Sequence, residues 1–339
     1  MSARTIKDVA DAAGVSTAAV SLFLNGRPGI SQATRDRIAA AIRTVGYVPR
    51  TNGRRSAARA FVGMLVEQLP LPVHADHFYS GVVAGLQSEA DRLGYNLALS
   101  VVDPQQGGLP RLIAEQQVAG VIAIGGGDIT DALLDRLADE GIPLVAVDNQ
   151  SRTRQIDCVV TDNQQGGYEV TRHLIELGHR RIAFICGPAK YKSLGERYQG
   201  YRQALLEAGI PLEEELVQPA ISSGLPRKGY KEMRQLLELD PLPTAVFAAS
   251  DRTAVGALEA IRERGLRVPD DISLVGFDGV ALGEHADPPL TTVRTRNYEM
   301  GVVAMQRLDT LIAGRGVAPM KIVLYTDLVV RQSTAPPSR

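Results

Sequence analysis

The stretch that decides the fold is residues 5–50, TIKDVADAAGVSTAAVSLFLNGRPGISQATRDRIAAAIRTVGYVPR. It predicts three short helices, and each begins after a hydroxyl side chain suited to cap it: Thr5, Ser16 and Ser31. Apolar residues recur at helical spacing behind each cap, which gives every helix one buried face. Gly14 ends the first helix. Two helices joined by a turn of about 3–4 residues that contains Gly form a helix-turn-helix, whose second helix enters the DNA major groove.

Basic charge is concentrated at this end of the chain. Residues 1–60 contain ten Lys and Arg against three Asp, a net charge of +7, whereas the whole chain has 37 Lys and Arg against 38 Asp and Glu. A basic region confined to one end predicts phosphate contacts whose affinity falls as salt rises. The alternative is a helical domain whose basic charges are merely solvated. The helix spacing, the glycine in the turn and the charge together favour DNA binding.

Three segments of this region, IKDVADAAGVS, AVSLFLNG and ISQATRDRI, resemble the N-terminal signature of the LacI/GalR family of bacterial transcription regulators. The resemblance extends over nearly the whole chain. It implies that the second helix reads bases through Thr17, which can hydrogen-bond a base, and Ala18, which makes only apolar contacts. Leu22 stands where relatives often have a basic residue, so less direct readout is expected. The implied DNA-binding residues are Thr5, Ser16, Thr17, Ala18, Ser21, Leu22, Asn25, Arg27, Arg54 and Arg55.

Residues 47–60, YVPRTNGRRSAARA, form a basic connector. The resemblance implies a hinge helix here, whose leucine wedges into the minor groove and kinks the DNA. This chain has no leucine between Val48 and Met64, and Ser56 stands at the wedge position. Arg54 and Arg55 can still reach phosphates or a narrow groove.

Short apolar runs alternate with amphipathic helical segments from Phe61 onward, a pattern that predicts parallel sheets with crossover helices. Strands are expected at 61–66, 95–100, 120–124, 143–147, 158–161, 181–186, 244–249, 272–277 and 321–328. Helices are expected near 79–93, 110–117, 131–139, 165–177, 195–208, 228–239, 253–264 and 298–313. The predicted fold class is an all-α helix-turn-helix head followed by an α/β core. The resemblance implies that this core is two-lobed, like a periplasmic sugar-binding protein.

These patterns divide the chain into four parts. We expect a helix-turn-helix DNA-binding domain at 1–49, a hinge linker at 50–60, an effector-binding and dimerisation core at 61–331, and a flexible tail at 332–339. Within the core, the resemblance implies a lobe 1 at about 61–161 and 290–320 and a lobe 2 at about 162–289 and 321–331. The tail QSTAPPSR has no leucine heptad, so a tetramerising coiled coil is not expected.

Polar residues follow several predicted strands, and ligands of such sheets bind beyond the carboxyl ends of the strands. Their carboxylates suit the hydroxyls of a sugar or nucleoside, or they simply cap the helices that follow. Arg197 lies in GERYQGYRQAL and is either a donor facing these acids or a surface arginine of an amphipathic helix. The strand-end candidates are Asp148, Asp162, Ser250, Asp251 and Asp278.

The resemblance implies effector contacts for all of these residues. GERYQGYRQAL resembles the family motif R-x-x-G-[FY]-x-x-A-[LM], whose Arg binds effector, and the resemblance adds Ser193 together with the aromatic pair Phe78 and Tyr79. Residues 220–229 lack the aromatic that stacks on the effector in some relatives, and Tyr191 stands where nucleobase binders have a basic residue. A small sugar or polyol is therefore expected rather than a purine.

Other classes of function find little support. Cys158, Cys186 and the five histidines have no metal-type spacing, and Gly125–Gly127 lacks dinucleotide or Walker spacing, so no metal or cofactor is expected. No nucleophile elbow points to catalysis, so the chain is not expected to be an enzyme. Without an export signal, or an apolar run near the roughly 18 residues that span a bilayer, a cytoplasmic protein that does not contact the membrane is expected.

The sequence therefore predicts a homodimeric DNA-binding transcription repressor on a pseudo-palindromic operator of double-stranded DNA. A sugar-like effector in the cleft between the lobes would control operator affinity by a population shift. The alternative is the same regulator under a protein co-regulator. A sugar-processing enzyme on the same core is disfavoured because no catalyst needs residues 5–50.

Overall fold

The chain forms two compact units, Met1–Ala58 and Arg59–Arg339, here called the head and the core. A computed structural model describes residues 5–24, 29–45, 60–68, 73, 76–103, 111–115, 117–221 and 227–338.

The described part of the head is helical, as predicted. Its helices are α1 Ile6–Ala13, α2 Thr17–Leu24 and α3 Gln32–Val45. The side-chain oxygens of Thr5, Ser16 and Ser31 each accept a backbone N–H in the first turn of the following helix, which confirms all three predicted caps. The buried faces meet in one small core made of Val9, Ala10, Ala13, Val20, Ile38 and Ala41.

The core is an α/β structure with two parallel sheets, which confirms the predicted class. Its strands are β1 Phe61–Val66, β2 Asn96–Val101, β3 Gly120–Ile124, β4 Leu144–Val147, β5 Asp157–Thr161, β6 Ile182–Ile185, β7 Val217–Gln218, β8 Ala245–Ala248, β9 Ser273–Val275, β10 Thr292–Arg294, β11 Lys321–Leu324 and β12 Asp327–Val329. Its helices are α4 Tyr79–Leu93, α5 Arg111–Ala114, α6 Asp131–Asp139, α7 Asn163–Glu176, α8 Lys192–Glu207, α9 Tyr230–Leu236, α10 Asp251–Glu263, α11 Ala281–Glu284 and α12 Asn297–Ile312.

Each parallel sheet organises one lobe. Lobe 1 holds six strands in the order β11-β5-β4-β3-β1-β2, and lobe 2 holds four in the order β7-β6-β8-β9. Helices cover both faces, so the central strands are buried on both sides and read as continuous apolar runs. A separate antiparallel pair joins β10 to β12.

One predicted strand is two strands. The run at 321–328 divides into β11, which pairs with β5 of lobe 1, and β12, which pairs with β10. The expected lobe boundaries are wrong at the same places: β11 belongs to lobe 1, whereas Thr291 and Arg294 bridge to residues of lobe 2. Apolar periodicity is a local property, and it does not reveal which distant strand a segment will join. The short elements β7, β10 and α11 were not predicted.

The expectation of a flexible tail is also wrong. Ser333 is fully buried, and its hydroxyl donates to Leu274 O at 2.5 Å and accepts from Thr291 N at 2.8 Å. The ring Nε2 of His179 donates to Ala335 O at 2.9 Å. The backbone and small side chains of residues 332–338 thus supply hydrogen bonds to strand β9 and the elements beside it, which Ser and Pro content alone does not indicate.

Glycines bring α7 and α8 into backbone contact in lobe 2. A Cβ added at Gly200 would lie 2.1 Å from Gln164 O, and one added at Gly167 would lie 2.4 Å from Arg197 O. Real Cβ atoms do not tolerate such distances, so only glycine permits this crossing. The contact fixes the turn of α8 that carries Arg197.

We expect Gly200→Ala to lower the free energy of unfolding by about 1–3 kcal/mol, because the added methyl must push two helix backbones apart. Gly195→Ala is the matched control in the same helix, since its Cβ would meet nothing within 4 Å. That variant should be neutral, or more stable by roughly 0.5–1 kcal/mol. Urea unfolding of the full chain measures both, and equal stabilities for the two variants would contradict the crossing constraint.

Candidate functional site

The head presents one exposed helix face with small polar and apolar side chains. Thr17, Ala18 and Ser21 are exposed on α2, while Leu22 is partly buried. The hydroxyls of Thr5 and Ser16 cap helices, so each is already engaged by its own backbone. The predicted DNA contacts Asn25, Arg27, Arg54 and Arg55 lie outside the described residues, as does nearly all of the predicted hinge.

The core contains a cavity of about 580 Å³ whose walls come from both lobes. This volume lies in the range of small-molecule sites. Seven of the nine predicted effector residues line it: Phe78, Tyr79, Asp148, Ser193, Arg197, Ser250 and Asp278.

The lobe 1 wall centres on a phenol between two carboxyls. The hydroxyl of Tyr79 lies 3.1 Å from Asp148 Oδ2 and 3.3 Å from Glu67 Oε1. Glu67 is almost fully buried, and it also accepts the backbone N–H groups of Gly127 and Asp128 at 3.0 and 3.1 Å. One phenolic proton cannot fully satisfy both acids, so Asp148 retains acceptor capacity toward the cavity.

Asp148 holds a proton unusually well. Burial raises its pKa to about 7, and the nearby Arg197 and the hydroxyl of Tyr79 oppose this rise. Burial raises the pKa of Glu67 as well. The backbone of Asp148 adopts φ +52°, a left-handed conformation that turns the chain sharply after β4. A ligand that donates hydroxyl hydrogens would favour the ionised form of Asp148.

The lobe 2 wall centres on a buried guanidinium. Arg197 Nη1 lies 2.9 Å from Asp278 Oδ1 and donates to Ala249 O at 2.7 Å, while Nε donates to Asn163 Oδ1 at 3.0 Å. Its carbon CZ lies 3.8 Å from the ring centroid of Phe277. Burial raises the pKa of Asp278, and Arg197 opposes the rise. The alternative of a surface arginine is therefore wrong for Arg197.

Two predicted residues do not line the cavity. Asp162 caps α7 by accepting Gln165 N at 3.3 Å, which is the alternative role that the sequence left open. Asp251 is fully buried behind the wall, where it accepts Thr292 Oγ1 at 2.6 Å and Val280 N at 2.9 Å. Its carboxylate braces the turn that carries Asp278, so Asp251 positions the site without facing a ligand.

Ion pairs join the lobes on either side of the cavity. Arg252 of lobe 2 lies 3.3 Å from Asp76 of lobe 1. Lys190 lies 3.1 Å from Asp128, and the neighbouring Lys192 pairs with α6 at 2.7 Å. All of these contacts are partly exposed, so each contributes little energy alone and yields readily to a change in lobe spacing.

Sequence reasoning missed several lining or supporting residues. Glu67 directly follows strand β1, so the strand-end criterion applied elsewhere would have found it. The others, which include Lys228, reach the cavity from loops and helix starts whose direction depends on tertiary packing. The missed residues that carry charge are Glu67, Asp76, Lys190, Lys228 and Arg252.

Two further features bear on chemistry. Within the described ranges, no group of three or more His, Cys, Asp or Glu side chains is placed to hold a metal ion. No helix in the described part of the chain has the length and apolar character needed to cross a membrane.

Comparison with known proteins gives consistent matches. Residues 5–50 match the family described as bacterial regulatory proteins, lacI family, and residues 171–334 match the periplasmic binding protein-like domain. The chain is 35% identical over 340 residues to the HTH-type transcriptional regulator DegA of Bacillus subtilis (strain 168), and the alignment covers 98% of each protein.

Solved structures agree over the same extent. A complex of the transcriptional regulator CelR with cellobiose has 35% identity and a TM-score of 0.74, and the match covers 97% of this chain and 99% of that one. A lac repressor dimer bound to operator and the anti-inducer ONPF has 28% identity and a TM-score of 0.71, with 98% and 100% coverage. The similarity therefore spans the head and the core together.

The raised pKa of Asp148 predicts a pH-dependent stability. Between about pH 4 and pH 7 the native chain keeps a proton that the unfolded chain has lost, so the contribution of this group to stability falls as pH rises through that range. In Asp148→Asn the group does not titrate, and Asn tolerates a left-handed backbone. We therefore expect the free energy of unfolding of the native chain, relative to the variant, to decrease from pH 5 to pH 7 and then level off. Urea unfolding at half-unit pH steps tests this, and a constant difference would show that Asp148 is not desolvated.

Proposed function

The chain belongs to the LacI family of bacterial transcription regulators, and we propose that it is a repressor whose operator affinity is set by a small sugar in the core cavity. It is a DNA-binding regulator rather than an enzyme, as are the relatives to which it is similar over nearly its whole length. The observation that carries the effector assignment is one cavity lined from both lobes, by Asp148 and Tyr79 on one wall and by Arg197 and Asp278 on the other.

We propose the helix-turn-helix of the head as the DNA contact. Thr17, Ala18 and Ser21 are exposed on α2, the second helix of the motif, and the basic charge of residues 1–60 supports phosphate binding. The lac repressor structure is a dimer on operator, which supports a homodimer on pseudo-palindromic DNA for this chain as well. We propose that the protein works in the cytoplasm, where its DNA partner is found. We also propose that the chain divides into a DNA-binding domain at 1–49, a hinge at 50–60 and the core.

The chemistry of the cavity favours a polyhydroxylated ligand. Asp148 and Asp278 are acceptors for hydroxyl hydrogens, Arg197 is a donor, and Phe78 offers an aromatic surface. The CelR structure contains cellobiose, which supports the sugar class without identifying the sugar for this chain.

Ligand contacts on both walls would favour a particular spacing of the lobes. Asp148 and Tyr79 belong to lobe 1 and Arg197 to lobe 2, so a ligand that touches all three stabilises the arrangement in which they are close. The weak ion pairs at the margins of the cavity offer little resistance to separation of the lobes. A shift of this kind needs different affinities of the effector for the two arrangements. Whether the effector releases DNA or recruits the chain to it follows from which arrangement it prefers.

The competing function is a regulator of the same kind that responds to a protein co-regulator. No specific observation on the described surface favours that partner. Its signature would be operator binding that depends on a protein and survives changes in the cavity.

Asp148→Asn should weaken binding of the effector sugar by roughly tenfold or more, because hydrogen bonds to a charged acceptor are worth about 1.5–3 kcal/mol. Asp139→Asn, which makes the same change on an exposed side chain outside the cavity, is the control. Thermal shift of the full chain across a panel of sugars and polyols finds the ligand, since a ligand at 100 Kd adds about 2.7 kcal/mol. Equal affinity of both variants for the sugar would refute the cavity as the effector site.

Thr17→Ala should reduce the preference for selected operator DNA over random DNA by about fivefold, since a base contact of this type contributes roughly 1 kcal/mol. Arg54→Ala should instead weaken binding to both DNAs alike, because a phosphate contact carries no sequence information. Fluorescence anisotropy at fixed salt, with an operator obtained by in vitro selection, measures both effects. Equal losses on selected and random DNA for Thr17→Ala would refute base readout by that residue.

A further inference from the structure

Several charged side chains around the cavity form ion pairs, and within the described part of the chain the lining cation Lys228 does not. Arg197 pairs with Asp278, Arg252 with Asp76, and Lys190 with Asp128. Lys228 lines the same cavity, yet no described residue makes a hydrogen bond or ion pair with its ammonium group. Among the described residues this half-buried ammonium therefore has no direct counter-charge to offset the loss of water, and such burial is costly.

Lys228 is held in place by its backbone. Its carbonyl oxygen would lie 2.1 Å from a Cβ added at Gly256, so the start of α9 lies directly against the backbone of α10. Gly229 follows at φ +89°, and a Cβ there would lie 2.2 Å from Thr253 O. These two glycine contacts fix the chain on both sides of Lys228. The fold therefore fixes the backbone position of Lys228 at the cavity, unlike that of a residue in an unconstrained surface loop.

The charges that surround Lys228 place it at the lobe 2 end of the site. Burial lowers its pKa, the carboxylates of Asp278 and Asp76 raise it, and the guanidinium groups of Arg252 and Arg197 lower it. Both carboxylates are already engaged by those two arginines. Counted over the described residues, Lys228 and its charged neighbours are three cations and two anions, and one negative charge would balance them.

The lobe 1 wall carries a carboxyl group without a direct cationic partner among the described residues. Asp148 accepts from the hydroxyl of Tyr79, and no cation among the described residues pairs with it directly. A neutral sugar would satisfy Asp148 and leave Lys228 unpaired, whereas a small inorganic anion would do the reverse. A ligand that carries hydroxyls and one negative group satisfies both Asp148 and Lys228.

We propose that the effector is an anionic sugar, either a sugar phosphate or a sugar acid, and that Lys228 binds its anionic group with Arg252 beside it. This inference rests on the proposed function, because it assumes that the cavity is the effector site. Phosphate and carboxylate share the chemistry that Lys and Arg recognise, and both accept charge-assisted hydrogen bonds.

The test compares charged and neutral sugars on the full chain by isothermal titration calorimetry at constant ionic strength. The probes are glucose 1-phosphate, glucose 6-phosphate, gluconate and glucuronate, with glucose and cellobiose as neutral counterparts and inorganic phosphate alone. The proteins are the native chain, Lys228→Gln, and Lys231→Gln as matched control. Lys231 lies three residues further along the chain, is exposed on α9 and does not line the cavity, and its substitution makes the same change in net charge.

We expect an anionic sugar to bind at least tenfold more tightly than its neutral counterpart. Lys228→Gln should remove that advantage and leave neutral sugars within about twofold, while Lys231→Gln should change neither. Preference for the phosphates or for the acids would identify the anionic group.

Four results would overturn the inference. Neutral sugars that bind as tightly as charged ones, or equal effects of the two lysine variants, would refute the role of Lys228 while the proposed function stands. Inorganic phosphate that binds as tightly as the sugar phosphates would refute the sugar part of the ligand. Absence of binding by charged and neutral sugars alike would refute the sugar effector together with this inference.

Discussion

Close contact between helix backbones is the constraint on which the geometry of the core depends. In lobe 2, Gly167 and Gly200 let α7 and α8 touch, and the same turn of α8 carries Arg197. Lobe 1 repeats the device in α4 and α12, where a Cβ at Gly85 would lie 2.0 Å from Tyr298 O and one at Gly301 would lie 2.1 Å from Val82 O. Tyr79 begins α4. On each wall of the cavity, a key side chain is therefore positioned by a helix that packs closely against its neighbour through glycine.

The cavity works as a balance of buried charge between the two lobes. Arg197 neutralises Asp278 within lobe 2, and Arg252 reaches across to Asp76 of lobe 1. Breaking the buried pair of Arg197 and Asp278 would leave a costly unpaired charge, whereas the partly exposed pair of Arg252 and Asp76 yields readily to a change in lobe spacing. A ligand that completes the balance therefore gains affinity and at the same time selects the lobe arrangement that brings the charges together. In the function that we propose, this selection would link binding in the core to a response in the rest of the protein.

The sequence identified much of the site because one rule was correct. Carboxylates at the ends of parallel strands converge, and Asp148 and Asp278 do so. The same rule, applied without the structure, also selected Asp162 and Asp251, whose oxygens are taken up by backbone N–H groups and a threonine hydroxyl. Whether a strand-end carboxylate faces a ligand or caps its own helix depends on rotamer and packing, which spacing does not encode.

Local physics in the sequence determined the helix caps at Thr5, Ser16 and Ser31, the strand and helix order of the core, and the residues at the carboxyl ends of the strands. These features depend on neighbours within a few residues, so periodicity and side-chain type are enough to find them. Only the tertiary structure decided that residues 321–328 divide between two sheets, that the tail packs against β9, and that Lys228 lines the cavity without an ion pair to any described residue. Each of these depends on contacts between segments far apart in the chain, and burial or pairing across such distances leaves no local pattern in the sequence.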